Sequence, residues 1–169
     1  MTVTFDALGA LRTLVEHGVR FVVIGGIAGR AWGSTTVTHD LDVCYQRNAD
    51  NYEALAAALR ALGATLRGAP AGLPFLLAAR TIRMGDSFTF DTSAGSLDCL
   101  GTPSGTGGYA DLVKNATEVE LDVDLRVSVC SLDDLIRMKR AAGRPKDRIE
   151  IEILSAVKEE REKGYDRAT

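Results

Sequence analysis

No run of apolar residues in this chain approaches the ~20 that a membrane-spanning helix requires. The opening stretch, MTVTFDALGALRTLVEHGVR, has no basic segment ahead of an apolar one, so no secretory signal is expected. Cysteine is scarce. Cys44, Cys99 and Cys130 all fall in apolar, strand-like runs, with no C-x-x-C and no neighbouring His to suggest zinc. Such thiols read as small core residues of a protein kept in a reducing cytoplasm. An excess of positive charge is also missing. The 20 Lys and Arg stand against 23 Asp and Glu, for a net charge of −3 and a pI near 5.4. This balance argues against a strongly basic nucleic-acid binder and leaves room for a local basic patch. No internal repeat and no low-complexity tract interrupts the pattern.

What is present suits a globular protein. Apolar residues make up 46% of 169 and charged residues 25%, enough for a real core in one domain with a helical extension. The apolar spacing of Phe5, Leu8, Leu11, Val15 and Val19 predicts a helix from about Asp6 to His17, stopped by Gly18. RFVVIGG reads as a strand ending in a turn, IAGRAWG as a short helix launched from it, and HDLDVCY as a second strand. ADNYEALAAALRALGA is the strongest helix signal, followed by a Pro- and Gly-rich loop from Arg67 to Pro74. TIRM, SFTFDT and SLDCLG read as three strands of an antiparallel meander, with turns at Gly85-Asp86 and Ala94-Gly95. A Gly-rich connection, TPSGTGGYADLVKNA, precedes one or two strands in TEVELDVDLRVSVC. Ser131 then begins a helix ending at Gly143, and Pro145 opens a last helix running to Gly164. The pattern predicts an α+β fold, with a short mixed sheet flanked by helices and a C-terminal helical pair.

The chemistry gathers in GGIAGRAWGSTTVTHDLDV. Asp40 and Asp42 stand two apart on a predicted strand, so they leave one face with Cα atoms roughly 6–7 Å apart. Carboxylates converging within about 4 Å repel by roughly 4 kcal/mol at an effective dielectric of 20. A divalent cation removes that cost, and Mg2+ prefers such oxygen ligands together with substrate phosphates. Asp98 interrupts another strand and would join the same face if the two strands pair. One of three acids is then free to take a proton from an attacking hydroxyl. Gly25 and Gly26 permit a sharp turn and close anion approach, and Gly33 and Ser34 add a second small turn with a hydroxyl donor. His39 is expected on the opposite sheet face, and Trp32 is expected to pack rather than to stack a base.

These residues resemble the nucleotidyltransferase superfamily of the DNA polymerase β type: a Gly-Ser turn at Gly33-Ser34, an Asp-x-Asp at Asp40 and Asp42, and a third acid at Asp98. The run Thr38-x-Asp40-Leu-Asp42, with SLDDLIRMKRAAGRPKD further on, looks like the minimal bacterial branch that includes AbiEii-type toxins. Lys139, Arg144 and Asp147 match that branch's helical motif. The resemblance implies one domain over residues 1–169, with a sheet-containing catalytic core over 1–130 and a helical segment over 131–169 closing the cleft. It implies metal-dependent transfer of a nucleoside monophosphate from a nucleoside triphosphate to a hydroxyl, releasing pyrophosphate. In that reading Asp40, Asp42 and Asp98 serve catalysis and hold Mg2+ or Mn2+. Gly25, Gly26, Gly33, Ser34, Lys139, Arg144 and Asp147 serve the nucleotide. The acceptor it suggests is RNA (transfer RNA in the toxin relatives), a protein side chain or a small molecule. A cognate antitoxin is an implied partner, and the setting is the cytoplasm, without a membrane.

Relatives often carry an Arg just before the Thr-x-Asp, where this chain has Thr35, Thr36 and Val37. The alternative is therefore a catalytically weak or inactive nucleotide-binding or antitoxin-like protein of the same fold. A glycosyltransferase using Asp-x-Asp would call for a larger doubly wound sheet than this pattern offers.

Overall fold

The computed structural model describes residues 2–70, 72 and 75–168. Its first helix, α1 (Ala7–Glu16), is capped by Asp6, whose carboxylate accepts from the Gly9 amide. Strand β1 (Phe21–Ile24) is buried at every position. Helix α2 (Gly25–Trp32) follows with no intervening loop, and strand β2 (Asp40–Tyr45) returns antiparallel to β1. Helix α3 (Ala49–Ala61) is capped by Asn48. Strand β3 (Thr65–Leu66), helix α4 (Ala79–Met84), and strands β4 (Ser87–Thr92) and β5 (Gly95–Leu100) come next. A single turn, α5 (Tyr109–Leu112), precedes the hairpin β6 (Thr117–Asp122) and β7 (Leu125–Val129). Helices α6 (Leu132–Ala142) and α7 (Pro145–Ala168) close the chain.

The strands form one mixed sheet in the order β3-β4-β5-β2-β1-β7-β6. Its centre carries the site. β5 lies parallel to β2, in a register that sets Asp42 directly opposite Asp98. Leu41, Val43, Leu97 and Cys99 alternate with the acids and are fully buried, so core packing fixes which face the acids leave. Leu11 and Leu14 of α1 and Leu55 and Leu59 of α3 are buried in that core. All three thiols are free and buried. Burial, chiefly, pushes Cys44 and Cys130 up to about 12, which keeps them inert.

Four expectations change. TIRM is not a strand but lies in α4, with Ile82 as its one fully buried side chain. The meander exists, but its outer strand is Thr65–Leu66, paired with Phe90 and Asp91 of β4. The Gly-rich connection after β5 contains α5. The last helix also runs past Gly164 to Ala168, because Gly164 does not adopt the left-handed conformation that ends α6 at Gly143. Of the loop expected from Arg67 to Pro74, residues Ala71, Leu73 and Pro74 lie outside the described residues.

Candidate active site

A cavity of about 540 Å³ opens where the ends of β1, β2 and β5 meet α2, α6 and α7. Asp40, Asp42 and Asp98 all line it, with Gly25 and Gly26 at the start of α2, and Lys139, Arg144 and Asp147 from the α6–α7 corner. Gly33 and Ser34 do not line it. Gly33 is the left-handed C-cap of α2, and Ser34 is buried behind the wall with its hydroxyl donating to Glu150. His39 is exposed. Trp32 donates its indole N–H to the Cys130 carbonyl at 2.8 Å, and the Arg161 guanidinium sits over its ring. That ring packs α2 against α7.

The glycine pair makes room for side chains of the site itself. Gly25 has φ +67°, and a Cβ there would strike the Asp42 carboxylate. A Cβ on Gly26 would come within 2.7 Å of the Thr38 hydroxyl. The helix they open has no side-chain cap. Its first residues line the cavity and, among the described residues, no side chain caps that end, a setting that favours an anion.

The acids repel one another across the paired strands. Burial, then the charge of Asp98 and a hydrogen bond shared with it, then Asp40, push the Asp42 carboxyl up to about 7. Lys139 pulls weakly the other way. Asp98 has a partner that the sequence did not reveal. Arg67, immediately after β3, donates to its carboxylate at 2.9 Å and to the Phe90 carbonyl at 3.0 Å. The same guanidinium reaches Asp91 at 3.3 Å. Across the cavity, Asp147 is 1% exposed and accepts a two-pronged contact from Arg144, at 2.8 and 3.1 Å. It also accepts from the Arg144 backbone amide, while Lys139 Nζ lies 4.0 Å away. Burial works to raise this carboxyl, but the Arg144 bonds outweigh it and hold it below the usual range. Asp147 thus fixes two cations at the rim.

The donors available to a cation are carboxylate oxygens, the set that Mg2+ or Mn2+ takes with one or two carboxylates plus phosphates and water. Among the described residues no group of three or more His, Cys, Asp and Glu closes around one point. With Asp98 engaged by Arg67, the open donors are Asp40 and Asp42. Besides Arg67, the sequence reading missed Glu150, Thr36, Thr38 and Lys146 in the cavity wall. Their only sequence signals were a threonine-rich approach to Asp40 and a charged, helical KDRIEIEIL.

No protein-family model matches this sequence, and no curated protein matches it. Solved structures do resemble the fold. The lincomycin-bound crystal structure of the lincosamide antibiotic adenylyltransferase LnuA is similar at a TM-score of 0.60 and 16% identity, over 93% of this chain and 99% of that one. The solution structure of the antibiotic-resistance factor ANT(2'')-Ia is similar at 0.53 and 14% identity, over 96% and 94%. The chain has the α+β nucleotidyltransferase fold. Among the described residues no helix is long and apolar enough to cross a membrane.

Proposed function

We propose that this chain transfers a nucleoside monophosphate from a nucleoside triphosphate to a hydroxyl, with Mg2+ or Mn2+. The observation that carries the reading is the apposition of Asp42 and Asp98 on paired strands, beside Asp40, in a cavity that also holds an uncapped helix N-terminus. Asp40 and Asp42 would hold the ion, which when bound neutralises triphosphate charge. The amides at Gly25 and Gly26 and the cations of Lys139 and Arg144 receive phosphate oxygens. Asp147 keeps both cations aimed, and Ser34 acts from behind the wall. Asp98 takes the proton of the acceptor hydroxyl, and the 2.9 Å bond from Arg67 holds its carboxylate in place. The acceptor oxygen bonds to the α-phosphorus as the bond to pyrophosphate breaks.

The acceptor is open to two chemistries. The fold neighbour that binds lincomycin suggests a small hydroxyl compound, and the likeness of the Thr38–Asp42 and Lys139–Asp147 segments to toxin relatives suggests transfer RNA and a cognate antitoxin. Incubating the protein with labelled nucleoside triphosphates, Mg2+ and both kinds of acceptor tests this. Wild type should label one of them, and Asp40→Ala should lower the rate by about a thousandfold or more. Labelling by Asp40→Ala at the wild-type rate would remove the acids from the mechanism. Nucleotide binding that ignores Mg2+, without transfer, would identify a nucleotide-binding protein of the same fold.

A further inference from the structure

Glu150 is a buried carboxylate that the proposed reaction leaves without a task. It lies in the second turn of α7, 7% exposed, in the cavity wall. Its partners are hydroxyls: Ser34 Oγ donates to one oxygen at 3.0 Å and Thr36 Oγ1 to the other at 2.6 Å. Ser34 Oγ accepts in turn from the Thr36 amide at 3.3 Å, and the Ser34 amide donates to the Gly29 carbonyl at 2.8 Å. Gly29 leaves the space: a Cβ there would sit 3.4 Å from the Glu150 carboxylate. Burying a carboxylate is costly, and an apolar side chain would pack a helix against a turn at lower cost. What the carboxylate provides is direction, since both hydroxyls of one turn are fixed by one group.

That turn begins the segment leading to the acids. Thr36, Val37 and Thr38 line the cavity between the start of α2 and Asp40. Thr38 Oγ1 donates to the Asp40 carbonyl at 3.1 Å. The segment is therefore tied at one end to α7 and at the other to β2. We propose that Glu150 is a positioning residue for nucleotide: through Ser34 and Thr36 it clamps the 34–38 segment to α7, so the wall facing the triphosphate is formed before nucleotide arrives. This rests on the reading of the cavity as a nucleoside triphosphate site.

The test compares Glu150→Gln and Thr36→Val with wild type, singly and together. Titration calorimetry with a nucleoside triphosphate and Mg2+ reads affinity, and amide hydrogen exchange reads residues 34–38 without ligand. Each single variant should weaken binding by about tenfold and speed exchange across 34–38, and the double variant should lose no more than the worse single one. Unchanged affinity in both single variants, or losses that multiply in the double variant, would overturn the clamp. If wild type binds no nucleoside triphosphate, the nucleotide reading itself fails. The exchange arm then decides the clamp, and wild-type protection of 34–38 in Glu150→Gln ends it. Thermal melts of each variant separate this from general loss of fold: a merely structural Glu150 would lower the melting temperature and leave folded-state affinity at the wild-type value.

Discussion

Asp42→Asn should melt at a higher temperature than wild type at pH 8 without metal, and should lose nucleotide transfer by about a thousandfold or more. The two effects have one cause. The unfolded chain releases the Asp42 proton near 3.8, and the folded chain releases it near 7. Between those values the folded state holds a proton that the unfolded state has lost, so stability falls as pH rises and the full penalty is present above pH 7. The penalty is on the order of 4 kcal/mol. Asparagine has the shape of the carboxyl without its charge and escapes it. Below the unfolded value of 3.8, where Asp42 is protonated in both states, the two proteins should melt together. Mg2+ at pH 8 should raise the wild-type melting temperature and leave that of the Asn variant nearly unmoved. Equal melting temperatures at pH 8 would mean that the acids are not in conflict.

Gly25→Ala should destabilise the fold by about 3 kcal/mol. Part of this is the left-handed backbone at φ +67°, which costs a residue with a Cβ about 1 kcal/mol. The rest comes from collision with the Asp42 carboxylate. The origin is separable. In a background carrying Asp42→Ala the carboxylate is gone and only a Cβ contact at 3.0 Å remains, so Gly25→Ala should cost nearer to about 1 kcal/mol there. Urea unfolding of the four proteins measures it. A cost independent of the residue at position 42 would place the glycine requirement in the backbone alone.

Much of the frame was legible because local signals agreed with one another. Asp6, Asn48 and Ser131 each cap the helix that follows, and the alternation in DLDVCY and SLDCLG survives as β2 and β5. The convergence of Asp42 and Asp98 depended on those strands pairing, which alternation suggests and cannot fix. TIRM misled because a four-residue run with β-branched side chains and one buried apolar position fits either element. The residues before it, Ala79 and Arg80, carry the helix. Strand β3 is two residues long and exists through its pairing with β4, a contact with no local signature. Arg67 and Glu150 were invisible for the same reason. Arg67 meets Asp98 only because three strands stack in the order β3-β4-β5. Glu150 meets Ser34 across 116 positions, from a helix whose charged sequence reads as solvated.

The central claim is that the acids are held in mutual repulsion that a cation relieves. The most direct measurement is a carbon-13 NMR titration of the Asp42 side-chain carboxyl, with and without saturating Mg2+. The metal-free protein should titrate near 7, and Mg2+ should draw the midpoint down into or below the ordinary carboxylate range. A metal-free midpoint near 4 that Mg2+ does not move would contradict the account.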